Sequence, residues 1–293
     1  MFHKILVATD GRDGGLDAAA LARQLVAPDG QLLLVHIHHG YPIAAKAETG
    51  DYERVARTDA QALLARVSEE TGIGSFKAHG APSVGRGLRD LAEQESADLV
   101  VIGATRRAPI ANIFVGDATR ETLRATRGAV AVAPVGYAER PDAISTVGLA
   151  YDASHESRAA AAVARDLGVE LDAKLSAIQV LDIPAYILYS DRPAGTPGKS
   201  PLELAAGDIA KLGEFEPRVS FGYVGDELAD ATHTVDLLVM GSRSLGRVGK
   251  LLRSSRSQSL ARRARCPLLI LPEPASDAYQ SEHEANHPVT VGS

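Results

Sequence analysis

Two aspartates close short apolar runs, Asp10 after ILVAT and Asp152 after VGLAY, and two glycines close others, Gly103 in DLVVIGATR and Gly241 in DLLVMGSRS. A carboxylate and a glycine at the ends of neighbouring strands would frame one crevice, and the long segment after each glycine offers backbone N–H groups and a helix N-terminus to an anion. After Gly241 the chain adds hydroxyls at Ser242, Ser254, Ser255 and Ser257 and cations at Arg243, Arg247, Lys250, Arg253 and Arg256, a combination suited to phosphate. A solvated basic surface, or one that meets acidic partners, is the competing reading of the same stretch. Beyond one aspartate per set, no general base or metal-held water is positioned for fast phosphoryl transfer.

The two sets are copies of each other. Gly103 and Gly241 lie 138 residues apart, and the same spacing relates Gly116 and Asp117 to Ser254 and Ser255, Thr119 to Ser257, and Pro134 to Pro272. Asp10 and Asp152 are 142 apart, so the second copy is four residues shorter between its aspartate and its glycine. Residues 136–143 (GYAERPDA) read as the linker. In the first copy, β-branched and aliphatic runs predict strands at 3–9, 31–37, 75–79, 98–103 and 129–134. Alanine-rich stretches of helical spacing predict helices at 14–26, 51–71, 83–95 and 117–126, and the second copy follows the same order.

Apolar runs without alternation, separated by helices, imply parallel strands covered on both faces. The expected fold class is therefore α/β: two doubly wound domains, each a five-stranded parallel sheet of order 3-2-1-4-5 with helices on both faces. They are expected at 1–137 and 144–275, followed by a polar, aperiodic and flexible tail at 276–293. In that order strands one and four are neighbours where the winding reverses, the place where such sheets bind ligands beyond their carboxyl ends. Strand five, 129–133 (AVAVA) and 268–271 (LLIL), would lie at an apolar edge that needs covering.

With 293 residues, 45% hydrophobic and 23% charged, the chain has the composition of two ordinary globular domains. Aromatics are only 4% with no Trp, which leaves aliphatic cores and no stacking platform for single-stranded nucleic acid. The net charge of −6 argues against a nucleic-acid footprint spread over the molecule. The start, MFHKILVATD, reads as a first strand and not a signal peptide, and no apolar run approaches the roughly 18 residues of a membrane span, so a cytoplasmic protein is expected.

With its two copies, this pattern resembles the universal stress protein family, specifically its tandem-domain members. The family places an Asp at the end of strand one and G-x2-G-x9-G-[S/T] after strand four, and the resemblance implies ATP or another adenine nucleotide in the crevice, with Mg2+ only as the nucleotide's companion. In the first copy Asp10, Gly103 and Gly116 match, while Arg106 replaces the second Gly and Asp117 the Ser/Thr. Asp117 would repel phosphate. Arg106 would either reach the phosphates or pair with Asp117 and close the site. In the second copy Asp152, Gly241 and Ser255 match, Ser244 and Ser254 replace glycines, and Ser242 and Arg243 extend the polar loop.

The family's adenine contacts backbone near the end of strand two, which maps onto Ile37 (His36-Ile37) and Val180 (Gln179-Val180). Asp152-Ala153-Ser154 is close to the family's D-G-S start, whereas the first copy has Asp10-Gly11-Arg12. The resemblance implies a stress-response regulator that binds nucleotide with at most slow ATP hydrolysis, whose two copies pair internally through their fifth strands, a further homodimer staying open. The alternative is an interaction module whose loops have lost nucleotide binding. An adenylating enzyme is the weakest reading, because S-G-G-x-D-S is missing after strand one.

Other candidates carry less. His36, His38 and His39 lack a Cys or a patterned carboxylate to complete a metal set. Residues 195–200 (GTPGKS) imitate a Walker A end, but Pro193 stands where Gly is needed, and Ser200 reads as the cap of a helix starting at Pro201. Cys266 reads as a packing residue. Tyr186 and Tyr189 lie in a connection that could form a lid or pack on a helix.

Overall fold

The computed structural model describes residues 1–40, 46–104, 128–139, 141, 143–181, 200–241 and 264–271. It divides into two compact units, Met1–Ala143 together with the strand Leu268–Leu271, and Ile144–Cys266.

In the first unit β1 (Phe2–Ala8), α1 (Asp13–Leu25), β2 (Val26–His39), α2 (Lys46–Thr71), β3 (Phe76–Ala81), α3 (Val84–Glu95), β4 (Leu99–Gly103) and β5 (Ala129–Ala133) follow one another. The parallel order is β3-β2-β1-β4-β5. Ile5, Leu6 and Val7 are consecutive and all fully buried, as a central strand covered on both faces requires. On one face Leu88, Leu91 and Ala92 of α3 close over Leu6, Val35 and Val100. α1 buries Ala18, Ala19 and Ala22, whose small side chains let the helix approach the sheet closely.

The second unit repeats the winding with β6 (Thr146–Ala150), α4 (His155–Glu170), β7 (Lys174–Leu181), α5 (Pro201–Ala210), β8 (Glu216–Phe221), α6 (Val224–Ala231) and β9 (Leu237–Gly241), in the parallel order β8-β7-β6-β9. The remaining strand, β10 (Leu268–Leu271), runs antiparallel to β5, with Leu268 opposite Val132 and Ile270 opposite Val130. The expected apolar edge of β5 is thus covered by the other expected fifth strand.

The repetition reaches atomic detail at the amino ends of the sheets. Asp98 accepts the N–H groups of His3 (2.7 Å) and Lys4 (3.0 Å), and Asp236 accepts those of Ser145 (3.0 Å) and Thr146 (2.8 Å) as well as both hydroxyls. Each aspartate before a fourth strand therefore clamps the start of a first strand. Burial would raise the carboxyl pKa of Asp236, but the hydrogen bonds from Thr146 and Ser145 outweigh it and hold it below the usual value.

Two details differ from the sequence expectation. β2 starts at Val26, not near residue 31; its register jumps from Phe2 opposite Val26 to Lys4 opposite Gln31, so the turn-forming residues 27–30 (APDG) are absorbed as an irregularity within the strand. The linker opens with a 3-10 turn (Tyr137–Glu139) docked on α1: buried Asp17 accepts the N–H groups of Gly136 (2.9 Å) and Ala138 (2.8 Å), and Gln24 donates to the Tyr137 hydroxyl. α5 begins as expected, with Ser200 and Glu203 in a reciprocal capping box and Pro201 at the first helical position. No helix among the described residues is long and apolar enough to cross a membrane.

Candidate functional site

At the carboxyl edge of each sheet the pairing steps down. β1 pairs with β2 as far as Ala8 opposite Val35, while β2 and β3 continue to His39 opposite Ala81. β6 pairs with β7 as far as Ala150 opposite Ile178, while β7 and β8 continue to Leu181 opposite Phe221. One further hydrogen bond in each unit, Thr9 N–H to Val35 O and Tyr151 N–H to Ile178 O, both 2.9 Å, carries the chain past the end of the first strand before it leaves the sheet. The second strand therefore overhangs the first at Ile37 and at Val180. The Ile37 side chain packs against the cluster under α3, so what it offers a ligand at this step is main chain.

Past the step, the first-strand aspartates organise the turn into the helix. Asp10 Oδ1 accepts the Arg12 N–H at 3.1 Å, and its other oxygen lies 3.7 Å from the Arg12 guanidinium, an exposed and therefore weak ion pair. Gly11 between them has φ +78°, and the Arg66 guanidinium donates to its carbonyl at 3.1 Å. A Cβ on Gly11 would stand 2.8 Å from Leu63, so α2 seats directly on this turn.

The second unit builds the same turn differently. Asp152 Oδ1 accepts the N–H and the hydroxyl of Ser154, and Ser154 in turn caps α4 by accepting the Ser157 N–H at 3.2 Å. Ala153 takes the place of Gly11 at φ +60°, a left-handed conformation that costs a residue with a Cβ about 1 kcal/mol.

Gly103 and Gly241 are where the fourth strand meets the first helix turn. A Cβ on Gly103 would lie 1.8 Å from the Gly14 carbonyl oxygen; one on Gly241 would lie 2.8 Å from both the Cβ and the carbonyl oxygen of Glu156. Gly14 and Glu156 are equivalent in the two copies. The glycines thus have a packing duty that motif reading did not assign them: they let the positive helix N-termini sit against the strand ends. Glu156, 3% exposed, and Ser157, fully buried, were also missed, because nothing in HES marks a buried first turn.

Asp10, Ile37 and Gly103 are thus brought to one sheet edge in the first unit, and Asp152, Val180 and Gly241 in the second. Arg106, Gly116, Asp117, Ser242, Arg243, Ser244, Ser254 and Ser255 lie outside the described residues. So do Tyr186, Tyr189, the helix expected at 117–126 and the tail.

The histidines are drawn into the sheet. His36 Nδ1 is 2.7 Å from Thr9 O, and the His38 ring covers Gly80. Burial lowers the pKa of neighbouring His79, with Lys77 and His38 adding to it and Asp90 opposing it. Among the described residues no group of three His, Cys, Asp or Glu is placed to hold a metal. Cys266 is buried and free, and burial pushes its thiol up to about 12, which makes it inert at neutral pH.

A universal stress protein from Archaeoglobus fulgidus DSM 4304 has a similar structure over 92% of this chain and 96% of its own, at 16% identity and a TM-score of 0.58. A functionally unknown protein from Pseudomonas aeruginosa PAO1 matches over 98% of both chains at 15% identity and a TM-score of 0.58. A universal stress protein in complex with cAMP aligns with 46% of this chain and 98% of its own, at 20% identity and a TM-score of 0.34. No curated protein matches the sequence. The model of the universal stress protein family matches twice, over residues 1–134 and 144–272, and the chain belongs to that family.

Proposed function

We propose that this chain is a cytoplasmic stress-response regulator whose second copy binds an adenine nucleotide, ATP or a close relative, with little or no catalytic turnover. The observation that carries this reading is the Asp152-Ala153-Ser154 turn. It keeps a left-handed alanine at the step beside Val180 and Gly241, and strain of this kind collects at sites with a function. In this reading Asp152 faces the ribose end, the Val180 main chain meets the base, and Ser242, Arg243, Ser244, Ser254 and Ser255 take the phosphates, with Mg2+ arriving only on the nucleotide. The first copy is the weaker site: Asp10 already faces Arg12, Leu63 and Arg66 sit on Gly11, and Asp117 and Arg106 replace phosphate-binding residues.

The tandem chain works in this reading as an internal pseudo-dimer, with the β5–β10 ladder standing where separate chains would pair. The second reading, an interaction module without nucleotide, is favoured only by the state of the first copy. Mass spectrometry of ligand released from freshly purified, heat-denatured protein tests the proposal, followed by calorimetric titration of ATP into wild-type protein and the Asp152→Ala and Ser255→Asp variants. Each substitution should weaken binding by about 1–2 kcal/mol. Wild-type protein that neither carries nor binds adenine nucleotide would sink it.

A further inference from the structure

The two copies part company where strand three enters the next helix. In the first, Ala81 is buried and Ser83 caps α3, its hydroxyl accepting the Arg86 N–H. In the second the matching residues, aligned by Val84-Gly85 with Val224-Gly225, are Phe221 and Tyr223. Both are exposed, Phe221 by 39% and Tyr223 by 62%, and Tyr223 stands at the α6 N-cap without a side-chain cap bond. Ser83, Ser154 and Ser200 all cap their helices, so the second copy gives up a cap here to display an aromatic ring. A sequence with 4% aromatics places two of them on either side of Gly222.

Their position is informative. Phe221 pairs with Leu181, and the Gly222 N–H reaches Leu181 O at 3.2 Å, so the rings stand at the carboxyl edge beside the overhanging end of β7. Asp152 lies two residues beyond the end of β6, and from β6 to β8 is two strand spacings, roughly 10 Å, within the span of a nucleotide. On β7 itself Gln179 Oε1 is buried and has no hydrogen-bond partner among the described residues. A buried acceptor left without a donor is costly, and the 6-amino group of adenine, where guanine has a carbonyl oxygen, would supply one.

We infer that Tyr223, with Phe221, forms the stacking wall for the base of the nucleotide bound by the second copy, and that Gln179 reads the edge of that base. This rests on the nucleotide reading above and adds to it the residues that select the base. Planar aromatic rings hold nucleobases by stacking.

The test is titration of the full chain with ATP, GTP and tripolyphosphate, for wild type and for Tyr223→Ser, Tyr223→Phe and Gln179→Leu. Tyr223→Ser should lower ATP affinity about tenfold while leaving tripolyphosphate unchanged and raising the melting temperature, because serine restores the missing cap. Tyr223→Phe should retain ATP affinity, and Gln179→Leu should narrow the preference for ATP over GTP. Tyr223→Ser protein that binds ATP as wild type does overturns the inference alone. Wild type that binds neither ATP nor tripolyphosphate overturns the nucleotide reading as well.

Discussion

Gly103 abuts Gly14 so closely that a Cβ on Gly103 would stand 1.8 Å from the Gly14 carbonyl oxygen. Backbone meets backbone there, and neither side can swing away. Gly103→Ala should therefore destabilise the first unit by at least about 2 kcal/mol. Gly241→Ala, whose new Cβ would meet Glu156 at 2.8 Å, should cost less, about 1–2 kcal/mol. Urea denaturation of the two variants gives the order, and equal losses would contradict it. Substitutions at either glycine report on packing before they report on any ligand.

At the next turn the relation is reversed. Ala153 is left-handed at φ +60° and Gly11 at φ +78°. Ala153→Gly should raise stability by about 0.5–1 kcal/mol by removing the Cβ strain, less whatever the looser unfolded chain takes back. Gly11→Ala should lower it by more than that, since its Cβ would also meet Leu63 at 2.8 Å. Thermal melts of both variants check the opposite signs. If the strained alanine serves the binding turn, Ala153→Gly should gain stability without gaining ATP affinity.

The repeat, the strand order and the aspartates at the step were legible because they depend on local apolar runs and on spacing, both of which survive in a single sequence. Ser200 before Pro201 was legible for the same reason, a cap being a local signal. The start of β2 was not: Pro28, Asp29 and Gly30 carry turn chemistry, and only pairing of Val26 with Phe2 holds them within the strand. Asp17 gave no sign of its part in docking the linker, since its partners lie 119 and 121 residues away. The packing duty of Gly103 was hidden for a similar reason. A glycine looks the same whether a phosphate or another main chain needs the space.

Glu95 makes the first unit sensitive to acid. It bridges Lys4 (2.8 Å) and Lys77 (2.7 Å), and hydrogen bonds from the two lysines lower its carboxyl pKa from 4.5 to about 2. The folded pKa lies below the unfolded one, so the contribution is fully present above pH 4.5 and is lost as pH falls towards 2. With the lysines partly exposed, solvent screening leaves about 1 kcal/mol. Glu95→Gln should flatten the stability profile in that window and, at neutral pH, cost a similar amount. An unchanged slope between pH 5 and 2, measured by urea midpoints, would rule the bridge out as its source.

Val132 tests the ladder that joins β5 to β10. It lies opposite Ile102 of β4 on one side and Leu268 of β10 on the other, and is 3% exposed. Proline there removes a main-chain N–H from a strand paired on both sides and wedges its ring into the sheet, a change expected to cost about 3 kcal/mol or more. Val132→Ala removes only methyl groups and should cost less, separating side-chain packing from the ladder. If β10 folds as part of the first unit, Val132→Pro should also raise hydrogen exchange at Leu269 and Ile270, far away in sequence but paired with β5. Exchange that rises in β4 and β5 while β10 stays protected would show that β10 does not depend on β5 for its order.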